Sequence, residues 1–215
     1  MLDLSFEDAY RTEGKNLICG IDEAGRGPLA GPVVAGACIL PEGLIILGLD
    51  DSKKLSEKKR ERLYDEICQN ALSWSVGMAS PEEIDTYNIL EATLLAMRRA
   101  VSSLSAEPDF LLIDGNISRG FSQSARAVVG GDGICQSIAA ASILAKVTRD
   151  RLCAELDYTY PQYGFAKHKG YPTKAHKLAV YEHGPCPVHR KSFLTFLERD
   201  KSKLEAWHLE KQAAE

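Results

Sequence analysis

The chain has 215 residues, 45% of them apolar and 26% charged, which is enough to bury a core and excludes a disordered or fibrous protein. It carries 26 Lys and Arg against 30 Asp and Glu, a net charge of −4. Taken as a whole-chain sum, that charge speaks against a polyanionic partner, but a sum hides where the charge sits.

The six cysteines, Cys19, Cys38, Cys68, Cys135, Cys153 and Cys186, form no C-x-x-C pair. Most sit among apolar neighbours, where a free thiol behaves as a small hydrophobe. The first residues lack the basic and apolar regions of a secretory signal, and no apolar run reaches the ~18 residues of a membrane span. The expectation is a reduced, soluble, cytoplasmic monomer with no membrane partner.

The apolar run Leu17 to Asp22 reads as a first strand that ends in acidic residues. After a Gly/Pro-punctuated turn, Val33 to Leu40 reads as a second strand, and Gly43 to Leu49 as a third that completes a meander. From Ser56 the period becomes helical, with Leu55, Leu63, Ile67 and Leu72 at helical spacing. Trp74 to Met78 reads as a short strand. Pro81-Glu82-Glu83 resembles a helix first turn, and Asn88 to Leu104 carries a longer amphipathic helix.

Phe110 to Asp114 is a continuous apolar run, typical of a strand buried on both faces, and Gly115-Asn116 turns the chain after it. Ala127-Val128-Val129 predicts one more strand, closed by Gly130 to Gly133. Helices follow at Ser137–Leu156, near Thr173–His183 and at Ser192–Lys211. Strands first and helices alternating afterwards predict an α/β or α+β domain with a mixed sheet and a helical C-terminal portion.

Acidic residues that close buried strands need an explanation, because a carboxylate beside a sheet loses hydration unless it is paired or holds a metal. Asp22 and Glu23 end the first strand, Asp114 ends a later one, and Asp132 follows another. If those ends converge, four carboxylates meet, repel one another and call for divalent cations. All-oxygen donors suit Mg²⁺ or Mn²⁺ better than zinc. Asp114 and Asp132 also suit turns or caps, a reading that fits the adjacent pair Asp22-Glu23 less well.

Gly25-Arg26-Gly27 lacks the third glycine and the following helix of a dinucleotide-binding turn. It reads either as a plain hairpin loop or as a loop whose backbone N–H groups approach an anion or a hydroxyl. Residues 143–191 hold nine Lys and Arg against four acids, +5, which leaves −9 elsewhere. Tyr163, Phe165 and Tyr171 are interleaved with those cations. The stretch is either a solvated face or a surface for phosphates and stacked sugars or bases. Within it, His168 and His176 are eight apart, and Cys186-x-x-His189 is half of a zinc pattern without its other half.

Six stretches carry a resemblance: Gly20 to Ala35 (GIDEAGRGPLAGPVVA), Asp51 to Leu55 (DSKKL), Ile113 to Asn116 (IDGN), Ser137 to Arg151, Tyr163 to Thr173 and His189 to Phe193. In this order the chain resembles the ribonuclease HII family, the type 2 ribonucleases H, from residue 17 to about 195. The resemblance implies a ribonuclease H-like fold: a five-stranded mixed sheet, flanking helices and a C-terminal helical extension. It implies a catalytic core over residues 1–157 and a substrate-binding segment with a helical extension over 158–215, packed as one unit.

Carried over by motif, Asp22, Glu23, Asp114 and Asp132 would bind two ions, Mg²⁺ or Mn²⁺. Gly25, Arg26 and Gly27 would contact a ribonucleotide's 2′-hydroxyl, and Tyr171 would complete its recognition at the RNA–DNA junction. Lys53, Lys146, Lys167 and Lys169 would contact the substrate. The implied activity is hydrolysis of the RNA strand of RNA/DNA hybrids, and cleavage on the 5′ side of ribonucleotides in duplex DNA. Gly130 stands where family members commonly carry a lysine beside the fourth carboxylate. Two other readings of the same residues are a non-catalytic nucleic-acid-binding module and a different metal-dependent nuclease, such as an exonuclease.

Overall fold

The computed structural model describes residues 2–213. Its centre is a five-stranded sheet of β1 (Ile18–Ala24), β2 (Val33–Ile39), β3 (Ser73–Ala79), β4 (Phe110–Asp114) and β5 (Ser124–Val128), in the spatial order β3-β2-β1-β4-β5. β1 pairs antiparallel with β2, and β2 with β3. β4 lies parallel to β1 on its other side, with Ile21 opposite Ile113, and β5 lies parallel to β4, with Asp114 opposite Val128. The sheet is therefore mixed, and the chain order reverses between β1 and β4. In open α/β sheets, such a switch point at the carboxyl ends of strands is where ligands bind.

The expected strand at Gly43–Leu49 does not form; the third strand of the meander is β3. Gly43 and Gly48 adopt positive φ, and the Ile46 N–H bonds to the Gln136 side chain instead of a neighbouring strand. Ile46 and Leu49 still reach the core, so these apolar residues are buried from a loop and not from a strand.

Eight helices are described: α1 (Ser5–Arg11), α2 (Glu57–Asn70), α3 (Pro81–Ser102), α4 (Gln136–Thr159), α5 (Phe165–His168), α6 (Lys174–His183), α7 (Phe196–Arg199) and α8 (Lys201–Gln212). Ser56 caps α2, whose Leu63 and Ile67 are buried; Leu72 lies past its end and is exposed. α3 opens with a capping box between Ser80 and Glu83 and breaks at Asn88, so the two predicted segments are one kinked element. The predicted tail helix is likewise divided, into a 3-10 turn at Lys191–Phe193 followed by α7 and α8.

α3 covers one face of the sheet and α4 the other. The approach of α4 is very close, because a Cβ on Gly20 would overlap the Ser137 backbone and one on Gly36 would overlap the Ala141 carbonyl. Ala139, Ala140, Ala141 and Ala145 keep the matching side of the helix thin. A third apolar cluster joins Tyr163, Phe165, Val180, Phe196 and Leu204 of the C-terminal segment to Leu29 and Ala30. An isolated bridge pairs Ala30 with His189.

Candidate active site

The parallel pairing of β1, β4 and β5 brings their carboxyl ends together, with Asp22 and Glu23 on β1 and Asp114 closing β4. Alternation along β1 turns Asp22 to the α4 face, where Gly20 also points, and turns Glu23 to the α3 face. The turn after β5 is fastened by the Gly131 N–H, which donates to Asp114 Oδ1 at 2.7 Å and draws Asp132 in from the third strand end. Asp22 and Asp132 are only 4% and 7% exposed. Burial raises the Asp22 pKa well above the usual carboxylate range, and repulsion from Glu23 and Asp114 adds to it. Burial also pushes Glu23 up against the opposing pull of Arg26, and it pushes Asp132 up together with repulsion from Asp114 and Asp51.

Two of the four carboxylates have a cation nearby. Arg26 Nη1 lies 3.4 Å from Glu23 Oε1, and Lys53 Nζ lies 3.8 Å from Asp132 Oδ2. Among the described residues, Asp22 and Asp114 have no such partner. The cation beside Asp132 is Lys53, which comes from a different segment than Gly130. Gly130 itself takes the left-handed conformation at φ +66°, with open space where a Cβ would be.

A cleft of about 190 Å³ opens on these groups. Asp22, Glu23 and Asp114 form one wall, Gly25, Arg26, Gly27 and Tyr171 another, and Lys53 and Lys146 flank it. A Cβ on Gly27 would stand 3.6 Å from the ring of Tyr171, so the half-exposed tyrosine faces the glycine loop directly. Lys146 donates to Asp150 at 2.5 Å, and Asp150 also faces Arg60 at 3.5 Å. Asp132 lies beside the lining at Lys53. Lys167 and Lys169 stand outside the cleft on the segment that leads to Tyr171, with Lys169 at φ +52°.

The donor set suits hard divalent ions. It is all oxygen, buried at Asp22 and Asp132 and half-buried at Glu23 and Asp114, self-repelling and only partly neutralised by protein cations. Among the described residues, no three His, Cys, Asp or Glu side chains already close into a cage. An open wall of carboxylates fits Mg²⁺-like ions, which keep several waters and take further ligands from substrate phosphates. Ser142, which bonds to Ser52 at 2.8 Å, lines the cleft as well and was not singled out in the sequence. Nor were Arg149 and Arg190, which underlie the glycine loop; a count of basic residues gives no sign that a guanidinium is buried.

Such a fold, with a carboxylate wall at its switch point, defines a metal-dependent phosphodiester hydrolase of the ribonuclease H type. Residues 19–196 match the family model for ribonuclease HII, and the chain belongs to that family. It is 59% identical over 183 residues to ribonuclease HII of Shewanella oneidensis, covering 83% of this chain and 88% of the relative. The ribonuclease H2 of Pyrococcus horikoshii OT3 superposes with a TM-score of 0.71 at 28% identity, covering 87% of this chain and 98% of that one. The Bst-RNase HIII structure in complex with Mn²⁺ shares the fold at 19% identity and a TM-score of 0.61, over 79% of this chain and 63% of that one. The chain is an endoribonuclease of RNA/DNA hybrids with the divalent-metal dependence of its family.

The rings of His168 and His176 stack at 4.4 Å, and His176 Nε2 lies 3.1 Å from His189 Nε2. No helix among the described residues is long and apolar enough to cross a membrane. All six cysteines are free thiols.

Proposed function

We propose that the chain cuts on the 5′ side of ribonucleotides, in hybrids and singly embedded in duplex DNA, leaving 3′-hydroxyl and 5′-phosphate ends. Asp22, Glu23, Asp114 and Asp132 hold two divalent ions, Mg²⁺ or Mn²⁺. When bound, such ions lower the pKa of a water nucleophile and offset charge on the leaving oxygen. The protein's own part is to gather the carboxylates, to exclude bulk water on the α4 face and to hold the sugar. The backbone of Gly25–Gly27 and the ring of Tyr171 take the ribose between them, where the 2′-hydroxyl distinguishes RNA from DNA. Lys53, Lys146, Lys167 and Lys169 contact the phosphate backbone.

The observation that carries this reading is that one cleft is lined both by strand-end carboxylates and by a glycine loop facing a tyrosine. Residues 1–157 act as the catalytic core and 158–215 as the substrate-binding segment with its extension. The free thiols fit a reducing cytoplasm, and the active unit is a monomer.

The test is a duplex with a single internal ribonucleotide, assayed across Mg²⁺ and Mn²⁺ concentrations. One internal cut 5′ of the ribonucleotide is expected, and stepwise shortening from an end would point to an exonuclease instead. Asp22→Asn should remove cleavage while leaving substrate binding. Full activity in that variant, or turnover without divalent ions, would overturn the reading.

A further inference from the structure

Two arginines behind the cleft are as buried as any residue in the core: Arg149 is 1% exposed and Arg190 is 0%. A buried guanidinium ordinarily pairs with a carboxylate. Here, among the described residues, neither does; every hydrogen bond they donate goes to a main-chain carbonyl. Arg190 donates from Nη2 to Gly25 at 2.6 Å, from Nη1 to Arg26 at 2.9 Å and from Nε to Gly31 at 2.9 Å. Arg149 donates from Nη2 to Ala30 at 3.1 Å, from Nε to Pro32 at 3.2 Å and from Nη1 to Lys169 at 2.9 Å.

Five of those six carbonyls lie between residues 25 and 32. The sixth, on Lys169, sits two residues before Tyr171. Arg149 therefore ties the glycine loop to the segment that carries the tyrosine. A Cβ on Gly25 would overlap its guanidinium, so the loop rests directly on the arginine. With the carbonyls of Gly25 and Arg26 drawn inward, the N–H groups of Arg26 and Gly27 are left without a hydrogen-bond partner among the described residues, on the cleft wall. Arg190 is in turn held from α3, where Asp85 accepts from the Lys191 N–H, the Ser192 N–H and the Ser192 hydroxyl at 2.9, 2.9 and 2.5 Å.

We infer that Arg149 and Arg190 are positioning residues for ribose discrimination. Their planar forks hold the loop carbonyls inward, fix the gap between Gly27 and Tyr171, and keep two N–H groups aimed at the sugar. Asp85 acts through Arg190. A lysine keeps the charge but cannot fork to three carbonyls at once, so Arg→Lys separates geometry from charge. The inference rests on the proposed contact between residues 25–27 and the 2′-hydroxyl.

The test measures affinity for a duplex with one ribonucleotide and for the all-DNA duplex of the same sequence, in a cleavage-deficient Asp22→Asn background. Mn²⁺ affinity is measured in the otherwise unaltered chain. Arg149→Lys and Arg190→Lys should lower the ribo-to-deoxy affinity ratio about tenfold, and Asp85→Ala about threefold. All-DNA affinity and Mn²⁺ affinity should stay within about twofold, since a fixed loop is not needed for either. An unchanged ratio, or a parallel loss on both duplexes, would show arginines that merely join the segments and would overturn the inference. If an arginine variant does not fold, Asp85→Ala decides. Equal affinity of the parent for both duplexes would instead refute the 2′-hydroxyl contact itself.

Discussion

Tyr171 stands at the mouth of the cleft, 45% exposed, with its edge toward Gly27 and its backbone fastened through neighbours. The Tyr171 carbonyl lies 3.0 Å from His176 Nδ1, and Gly170 accepts from the Leu29 N–H at 2.8 Å. Its place is therefore set by the main chain, and its ring is free to meet a sugar. Tyr171→Ala should lower cleavage at a single embedded ribonucleotide by about 10²-fold, the scale of a lost positioning contact, while Mn²⁺ affinity stays the same. Equal cleavage by the variant and the parent would refute the role. The acidic residues at this scale were legible in the sequence, because apolar runs that stop at Asp22 and Asp114 mark strand ends. The loop's support was not, since Arg149 and Arg190 look like surface cations until tertiary packing buries them.

Among the elements, α3 is the one whose regularity fails. Asn88 sits at φ 67° and ψ 166°, a region almost confined to glycine, while its Oδ1 accepts from the Leu90 and Glu91 N–H groups at 2.9 and 3.2 Å. The side chain thus caps the second half of the helix at the point where the backbone leaves the first. Asn88→Ala keeps the strain and loses the cap, and should destabilise by about 1–2 kcal/mol. Asn88→Gly also loses the cap but relieves the backbone, and should cost less. Urea midpoints for the two variants check this; equal losses would remove the backbone account.

The sequence showed both halves of α3 but not their union, because Pro81 and Asn88 each resemble a start. The strand expected at Gly43–Leu49 fails for a similar reason: the segment is apolar enough for a strand but finds no ladder partner. Strand identity depends on that pairing, which a local pattern does not contain.

For the whole molecule, the buried histidines couple stability to pH. Burial pulls His176 down to about 4, and it lowers His168 and His189 in the same direction. Because an unfolded histidine titrates near 6.5, the unfolded chain binds more protons between these values. The contribution of His176 is complete above about pH 6.5 and is lost as pH falls through about 4, a change of about 3 kcal/mol. The raised carboxylates Asp22, Glu23 and Asp132 act with the opposite sign, so the comparison needs a variant. Urea unfolding of the parent should weaken more steeply from pH 7 to 4.5 than that of His176→Asn. Parallel slopes would refute the assignment. The net charge of −4 sums +5 over residues 143–191 with −9 elsewhere, so it describes neither region.

The bonds from Arg190 to Gly25 and Arg26 span about three quarters of the chain, with sequence separations of 165 and 164. Closing so long a loop is an entropic cost met late in folding. On a ribosome, β1 and β4 emerge and can align Asp22 with Asp114 well before residue 190 is made. A nascent chain just short of that length has Gly25–Gly27, Arg149 and Tyr171 but not the second guanidinium under the loop carbonyls. Under the roles proposed above, a chain interrupted before Arg190 would lose the guanidinium that holds the Gly25 and Arg26 carbonyls, and is expected to discriminate the sugar less sharply.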